Sequence, residues 1–177
     1  MTSFASYEDL HRLGLEGDPR DLLARASDPA GKTVFLSHSS KDNDLLPGVI
    51  RILESNGGRV YVDVKDAALP QGDFVGIASR LRNAVKTCRK FVLLVSQRTN
   101  CSAWIPWELG LGDGKNHDEN VALFPSAEKH YEQEWSKQEF LGLYRRIIWG
   151  NFKDMEAEWL VYDHRTNAAQ RLRDWLA

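Results

Sequence analysis

One carboxylate, Glu108, stands in the otherwise apolar stretch SAWIPWELGLG at residues 102–112. No lysine or arginine lies within a helical turn of it. Removing water from a carboxylate is costly, so an acid in such surroundings usually has a partner or a function. Glu108 is therefore a solvated edge residue, a structural acid that caps backbone N–H groups, or a working carboxylate in a pocket. The residues alone leave these alternatives open.

A second group with chemical potential lies in the polar segment SHSSKDND, residues 37–44, which follows the apolar run TVFLS. Its side chains supply hydroxyls, an imidazole and a cation just ahead of a predicted helix, which is a usual place for an anion. The residues concerned are Ser37, His38, Ser39 and Lys41. His38 and Ser39 could equally form a capping turn at the start of that helix. The segment therefore predicts either an anion site or a helix cap.

Apolar runs of strand length alternate with amphipathic segments of helical spacing along most of the chain. The predicted strands and helices, in chain order, are 33–37, 45–55, 59–64, 74–88, 90–96, 102–114 and 120–126. This alternation predicts an α/β fold, a flavodoxin-like doubly wound parallel sheet with helices on both faces. Ligands bind such sheets outside the carboxyl ends of the strands, where SHSSKD, VKDAALPQG and SQRTNCSAW lie.

The predicted domain spans residues 32–177 and is preceded by an N-terminal extension, residues 1–31, without recognisable chemistry. The extension contains two possible short helices, at 7–13 and 19–26. The C-terminal part is predicted to hold short strands at 145–150 and 158–163, followed by a closing helix over 164–177. The residues expected to face inward from that helix are Ala168, Leu172, Trp175 and Leu176.

Composition argues against several classes of protein. The net charge of −2, from 23 Lys plus Arg and 25 Asp plus Glu, disfavours a nucleic-acid binder. Two cysteines, Cys88 and Cys101, and no signal-peptide pattern predict a reducing, cytoplasmic location. No apolar run approaches the ~20 residues that would span a membrane. The five histidines lack metal-ligand spacing, so we expect no metal site.

Three separated segments of the chain resemble the successive sequence boxes of the TIR (Toll/interleukin-1 receptor) domain family. The segments are VFLSHSSKD, VYVDVKDAALPQGDF and KFVLLVSQRTNCSAWIPWELG, which cover about residues 33–125 in the expected order. The residues that carry the match are Phe35 to His38, Asp63, Leu69 to Gly72, Ser102, Trp104, Glu108 and Leu109. The C-terminal part resembles bacterial stand-alone TIR proteins and, more weakly, the TIR-like component of Thoeris antiviral systems.

The resemblance implies an enzyme that cleaves NAD at the nicotinamide–ribose bond, with Glu108, four residues after the tryptophan, as its catalytic carboxylate. NAD would be the substrate, and no cofactor is implied. One departure from the family is Ile105-Pro106, where a cysteine commonly follows the tryptophan. Pro106 cannot donate a backbone hydrogen bond, so the helix is expected to begin nearer to Trp104.

One carboxylate could suffice for this reaction, because the nicotinamide leaves as a neutral molecule and needs no proton from a general acid. Positions 104 and 108 share a helix face, so Trp104 could shield the site, although packing is the favoured role of this tryptophan. The strand-exit loops would contact phosphate and adenine through Ser37, His38, Ser39 and Lys41, with Asp66 and Leu69 as the other wall. The sequence does not choose between ADP-ribose and a cyclic isomer.

The resemblance also implies self-association through TIR–TIR contacts and a downstream effector that binds the nucleotide product. Two other functions stay open: a non-catalytic TIR adaptor, and an enzyme like the nucleoside deoxyribosyltransferases, which also use a glutamate at an N-glycosidic bond. A phospho-acceptor role for Asp63 is disfavoured, because the acidic cluster of receiver domains is not evident. Gly110, Gly112 and Gly114 are interpreted as the end of a helix rather than as a nucleotide-binding loop.

Overall fold

The computed structural model describes residues 3–63, 74–98, 110, 112, 114, 118–129 and 142–177. The predicted site residues Asp66, Leu69, Trp104 and Glu108 lie outside the described residues. The strands are β1 (Ala5–Ser6), β2 (Val34–Ser37), β3 (Val60–Tyr61), β4 (Lys90–Val95), β5 (Val121–Ala127), β6 (Arg145–Gly150), β7 (Glu158–Asp163) and β8 (Ala168–Arg171). The helices are α1 (Tyr7–Gly14), α2 (Pro19–Ala26), α3 (Leu46–Ser55), α4 (Phe74–Thr87) and, at the C-terminal end, α5 (Leu172–Leu176).

The sheet has the order β3-β2-β4-β5-β6-β7-β8, and β1 pairs with the end of β5. From β3 to β6 every pair of neighbouring strands is parallel, in the order typical of a flavodoxin-like sheet. β7 and β8 extend this sheet as an antiparallel hairpin on β6. The predicted doubly wound α/β fold is confirmed, and the hairpin makes its sheet mixed.

Two apolar cores lie on opposite faces of the sheet, because successive side chains of a strand point to opposite sides. On β2, Val34 and Leu36 join the core that α1, α2, α3 and α5 cover. Phe35, between them, joins the core that α4 covers, and its ring lies 5.4 Å from that of Phe91. All three residues are buried. A strand that is buried on both faces has a continuous apolar sequence. The run VFLS therefore predicts β2 well.

The N-terminal segment is packed into the structure. Ala5 is paired with Ser126 in the sheet, and Ser3 forms a bridge with Trp149. The short helices predicted at 7–13 and 19–26 are confirmed, and α1 and α2 both pack against α3. The Val62 N–H donates to the carbonyl of Ala26 at 2.9 Å, so the end of α2 covers the edge strand β3. The boundary at residue 31 stays a prediction.

The predicted closing helix over 164–177 is wrong in its first half. Residues 168–171 form β8, in which Ala168 is exposed, and only Leu172–Leu176 are helical. A tight turn precedes β8: the N–H of Arg165 donates to Asp163, and Asn167 has a φ of +54°. Backbone pairing with β7 then outweighs the helical spacing of the alanines. The prediction that Leu172, Trp175 and Leu176 face inward is confirmed.

Among the described residues, no helix is both long enough and apolar enough to cross a bilayer.

Candidate active site

The carboxyl ends of β2 and β4 lie side by side, because the two strands are parallel and Ser37 is paired with Leu93. The chain that leaves β2 forms the loop 38–45, and the chain that leaves β4 begins with Ser96, Gln97 and Arg98. In a doubly wound sheet this edge is where ligands bind. The described part of the candidate site is therefore the loop after β2 together with the first residues after β4.

Ser39 caps a short 3-10 turn, Ser40–Asp42, that begins the loop after β2. Its hydroxyl oxygen accepts from the N–H of Lys41 at 3.3 Å, and the N–H of Asp42 donates to its carbonyl at 2.8 Å. Ser37 and Ser39 are buried, at 2% and 3% exposure, whereas Lys41 is exposed. The capping interpretation therefore describes Ser39 in this structure. Substrate contacts by Ser37, Ser39 and Lys41 stay predictions.

His38 is held by a neighbour in the same loop. Its Nε2 lies 3.0 Å from the side-chain oxygen of Asn43, and burial lowers the pKa of the imidazole below its ordinary value. The ring is thus neutral near pH 7, and it hydrogen-bonds to Asn43 and to the backbone of Leu36. The positive charge expected for an anion site in this loop then comes from Lys41. A role for His38 in substrate binding stays a prediction.

Asp42 joins the two strand exits from inside the protein. The side chain is fully buried, and its Oδ1 accepts from the hydroxyl of Ser96 at 2.8 Å. Oδ2 makes no hydrogen bond among the described residues. Burial raises the pKa of the Asp42 carboxyl above its ordinary value, because an unpaired charge is poorly solvated there. The Ser96 hydroxyl oxygen also accepts from the N–H of Arg98 at 2.9 Å, which fixes the β4 exit.

This buried carboxyl leads to a prediction on stability. A raised pKa means that the folded protein binds the Asp42 proton more tightly than the unfolded chain does. The stability from that proton is complete below the unfolded value of 3.8 and is lost as the pH rises through the folded pKa. We therefore expect the free energy of unfolding of Asp42→Asn, relative to the parent, to rise as the pH is raised above 3.8. Urea titrations at several pH values measure this difference, and a constant value would contradict the prediction.

A cavity of about 430 Å³ lies beside the edge strand β3. Its described lining residues are Ser27, Pro29, Tyr61, Asp63, Asn83, Ala84 and Thr87. Asp63 is also near enough to His38 to favour the charged form of its imidazole. Asp63 therefore links the cavity to the loop after β2, and the predicted second wall of the site, with Asp66 and Leu69, begins just after it in the sequence.

Three glycines of the predicted helix 102–114 are described, and all three have helical backbone. Gly112 is buried, and a Cβ atom there would lie only 2.6 Å from Cδ2 of Phe91. Glycine at this position therefore allows the backbone to lie close to the Phe91 ring of β4. The interpretation of the three glycines as a helix end did not predict this contact. Gly110 and Gly114 are exposed.

Several polar residues of this edge were not predicted from the sequence. They are Tyr7 and His11 of α1, Asp42 and Asp44 of the loop after β2, and Ser96 and Arg98 of the β4 exit. Their partners are distant in the chain, so no local spacing reveals them. The position of Ser96 and Arg98 directly after a buried strand was the one available signal. Among the described residues, no group of three or more His, Cys, Asp or Glu side chains could hold a metal ion.

Residues 34–161, which include both strand exits, match the sequence pattern described as "TIR domain". The chain belongs to the TIR domain family. This TIR protein is also similar to a Bacillus cereus (strain MSX-D12) protein named "Probable 3' cyclic ADP-D-ribose synthase ThsB'". The two are 31% identical over 145 residues, which cover 81% of this chain and 74% of the relative. The resemblance noted in the three sequence boxes is confirmed.

Proposed function

We propose that this TIR protein cleaves the nicotinamide–ribose bond of NAD and releases nicotinamide together with ADP-ribose or a cyclic ADP-ribose isomer. The observation that carries the proposal is the 31% identity, over 81% of the chain, to a relative named as a cyclic ADP-ribose synthase. Glu108 supports it, because the chain retains a carboxylate at the position where NAD-cleaving members of the family have theirs.

The reaction places few demands on the protein. The C1′–N1 bond breaks with its electron pair going to the nicotinamide nitrogen, so the positive charge of the pyridinium ring passes to the ribose. Glu108 would stabilise that developing charge and bind the ribose hydroxyls. Attack at C1′ by water, which then loses a proton, gives ADP-ribose. Attack by another nucleophilic group of the same nucleotide gives a cyclic isomer.

The loop after β2 would bind the anionic part of NAD. Lys41 belongs to the capped 3-10 turn and is exposed, so its ammonium group is available to a diphosphate. His38 is neutral and serves as a hydrogen-bonding group rather than as a second cation. Asp66 and Leu69 would form the opposite wall, and Trp104 would exclude water beside Glu108.

The biological role that fits this chemistry is a nucleotide signal in bacterial antiviral defence of the Thoeris type. A downstream effector would then bind the product. Self-association through TIR–TIR contacts would promote activity, because a neighbouring subunit would complete the site.

Product identification tests the proposal. The purified protein is incubated with NAD at high protein concentration and with a crowding agent to promote assembly. Nicotinamide release is followed, and the nucleotide product is separated by chromatography and analysed by mass spectrometry against linear and cyclic standards. A cyclic isomer or ADP-ribose in a 1:1 ratio with nicotinamide is expected. Absence of nicotinamide under every condition of assembly would overturn the proposal.

A further inference from the structure

Arg98 joins the two strand exits from the solvent side. Its Nη1 donates to the carbonyl of Lys41 at 3.0 Å and to the Asp44 carboxylate at 2.9 Å. Arg98 therefore holds both ends of the segment 41–44, which begins at Lys41 and ends at Asp44. The Lys41 carbonyl lies in a turn of only three residues, and Arg98 supplies the hydrogen bond that a longer helix would have provided.

Helix α1 also contacts both strand exits, through His11 and Tyr7. Nε2 of His11 lies 2.9 Å from the second oxygen of Asp44, so one carboxylate connects α1 to Arg98. The Tyr7 hydroxyl accepts from the N–H of Gln97 at 3.3 Å, and the Arg98 guanidinium lies 5.1 Å from the Tyr7 ring centroid. We call His11, Lys41, Asp44 and Arg98 the exit clasp.

Partial burial would raise the pKa of Asp44, but hydrogen bonds from His11 and Arg98 hold it below its ordinary value. The carboxylate is thus ionised and already neutralised by partners within the clasp. Without Arg98 its charge would stand beside Lys41 and oppose any anionic ligand of that turn. The clasp therefore controls both the position and the local charge of the loop after β2.

We propose that Arg98 is a positioning residue for substrate binding, and that it acts through Asp44 and the Lys41 carbonyl. It fixes the turn that carries Lys41 against the chain leaving β4, ten residues before Glu108 in the sequence. The proposal rests on the proposed function, because the substrate is taken to be NAD.

A merely structural role predicts a different result from a positioning role. The Arg98 and Asp44 side chains are 37% and 44% exposed, and such surface pairs contribute at most about 1 kcal/mol to stability. Loss of the clasp should therefore leave the melting temperature nearly unchanged. Misplacement of a binding group by about 1 Å, in contrast, reduces activity by up to about a hundredfold.

The test is the kinetics of nicotinamide release by Arg98→Gln, Asp44→Ala and the double variant. We expect the KM for NAD to rise about tenfold in each single variant, with kcat changed less than about twofold. The double variant should be no worse than Arg98→Gln, because Arg98→Gln already removes both the contact to Asp44 and the hydrogen bond to the Lys41 carbonyl. Arg98→Lys should restore part of the affinity, since one ammonium group can reach Asp44 but does not reproduce the guanidinium fork.

Arg12→Gln is the matched control. Arg12 is a more exposed arginine of α1, and it pairs with Asp9 within the helix. Its replacement removes the same charge from α1, the helix that also supplies His11, without removing a contact of the clasp, so the KM should stay at the parental value. An unchanged KM in Arg98→Gln, or additive effects in the double variant, would overturn the positioning role.

Hydrogen exchange gives a second measurement that does not require activity. Peptides covering residues 38–45 should exchange faster in Arg98→Gln than in the parent, whereas peptides covering β7 should exchange equally. Identical exchange of residues 38–45 in both proteins would overturn the clasp. If the parent released no nicotinamide, the proposed function would fail, and the exchange result would still decide whether Arg98 fixes the loop.

Discussion

Glu108→Gln is expected to lower kcat for nicotinamide release by about a thousandfold, because it removes the one charge that would stabilise the ribosyl cation. Glutamine keeps the size and much of the hydrogen-bonding capacity of the side chain. Binding of NAD should therefore change little, and the loss should fall on kcat rather than on KM. Initial rates of nicotinamide release over a range of NAD concentrations separate the two constants.

Glu119→Gln is the matched control for this substitution. Glu119 is an exposed acid in the turn Asp118–Asn120, just before β5 and so at the opposite edge of the sheet from the strand exits. Its replacement makes the same chemical change at a distance, and the parental rate should be retained. Equal release by the parent and by Glu108→Gln would remove Glu108 from the mechanism.

Other outcomes of the same assay identify the competing functions. A parent protein that self-associates but never releases nicotinamide would be a TIR adaptor. Cleavage of deoxynucleosides in place of NAD would indicate the chemistry of the nucleoside deoxyribosyltransferases.

Gly48→Ala is expected to lower the free energy of unfolding by about 3 kcal/mol, because the added methyl group has no space. A Cβ atom at Gly48 would lie 2.2 Å from the carbonyl oxygen of Leu10 and 2.7 Å from its Cα. These are backbone atoms, so no rotation of a side chain relieves the clash. Helix α1 has to move away from α3 and expose Leu10, which is fully buried in the parent. Urea denaturation followed by tryptophan fluorescence measures the loss.

Gly114→Ala is the control for this prediction. Gly114 also has helical backbone, but a Cβ atom there meets no described atom within 4 Å. The substitution should be neutral or stabilising by up to about 1 kcal/mol, because alanine favours the helix more than glycine does. An unchanged denaturation midpoint in Gly48→Ala would show that the α1–α3 contact is looser than its geometry indicates.

The strands could be predicted from the sequence because burial gives them a local signature. The run KFVLLVS and the segments RRIIWG and EWLVYD gave β4, β6 and β7 to within one residue. β8 could not be recognised, since AAQR has no apolar alternation and depends on the turn at Asn167 and on pairing with β7. Tertiary pairing decided its structure against the helical spacing of its alanines.

The candidate site was predictable only in part, for a related reason. The sheet topology places 37–44 at the ligand-binding edge, and the structure has this segment there. Which side chains of the loop face inward was not predictable: Ser39 is buried as a cap, whereas Lys41 is exposed. The bonds from Ser96 to Asp42 and from Arg98 to Asp44 each join residues 54 positions apart. Polar pairs at such separation leave no periodic trace in one sequence.

The bridge between Ser3 and Trp149 has a consequence for synthesis of the chain. The segment with Ser3 and β1 is synthesised long before its partners near Ser126 and Trp149. Contacts between residues so distant in sequence form slowly, because the chain has to close a long loop before it gains them. Docking of β1 is therefore a late folding step, and a nascent chain lacks its complete sheet until most of the protein has been translated.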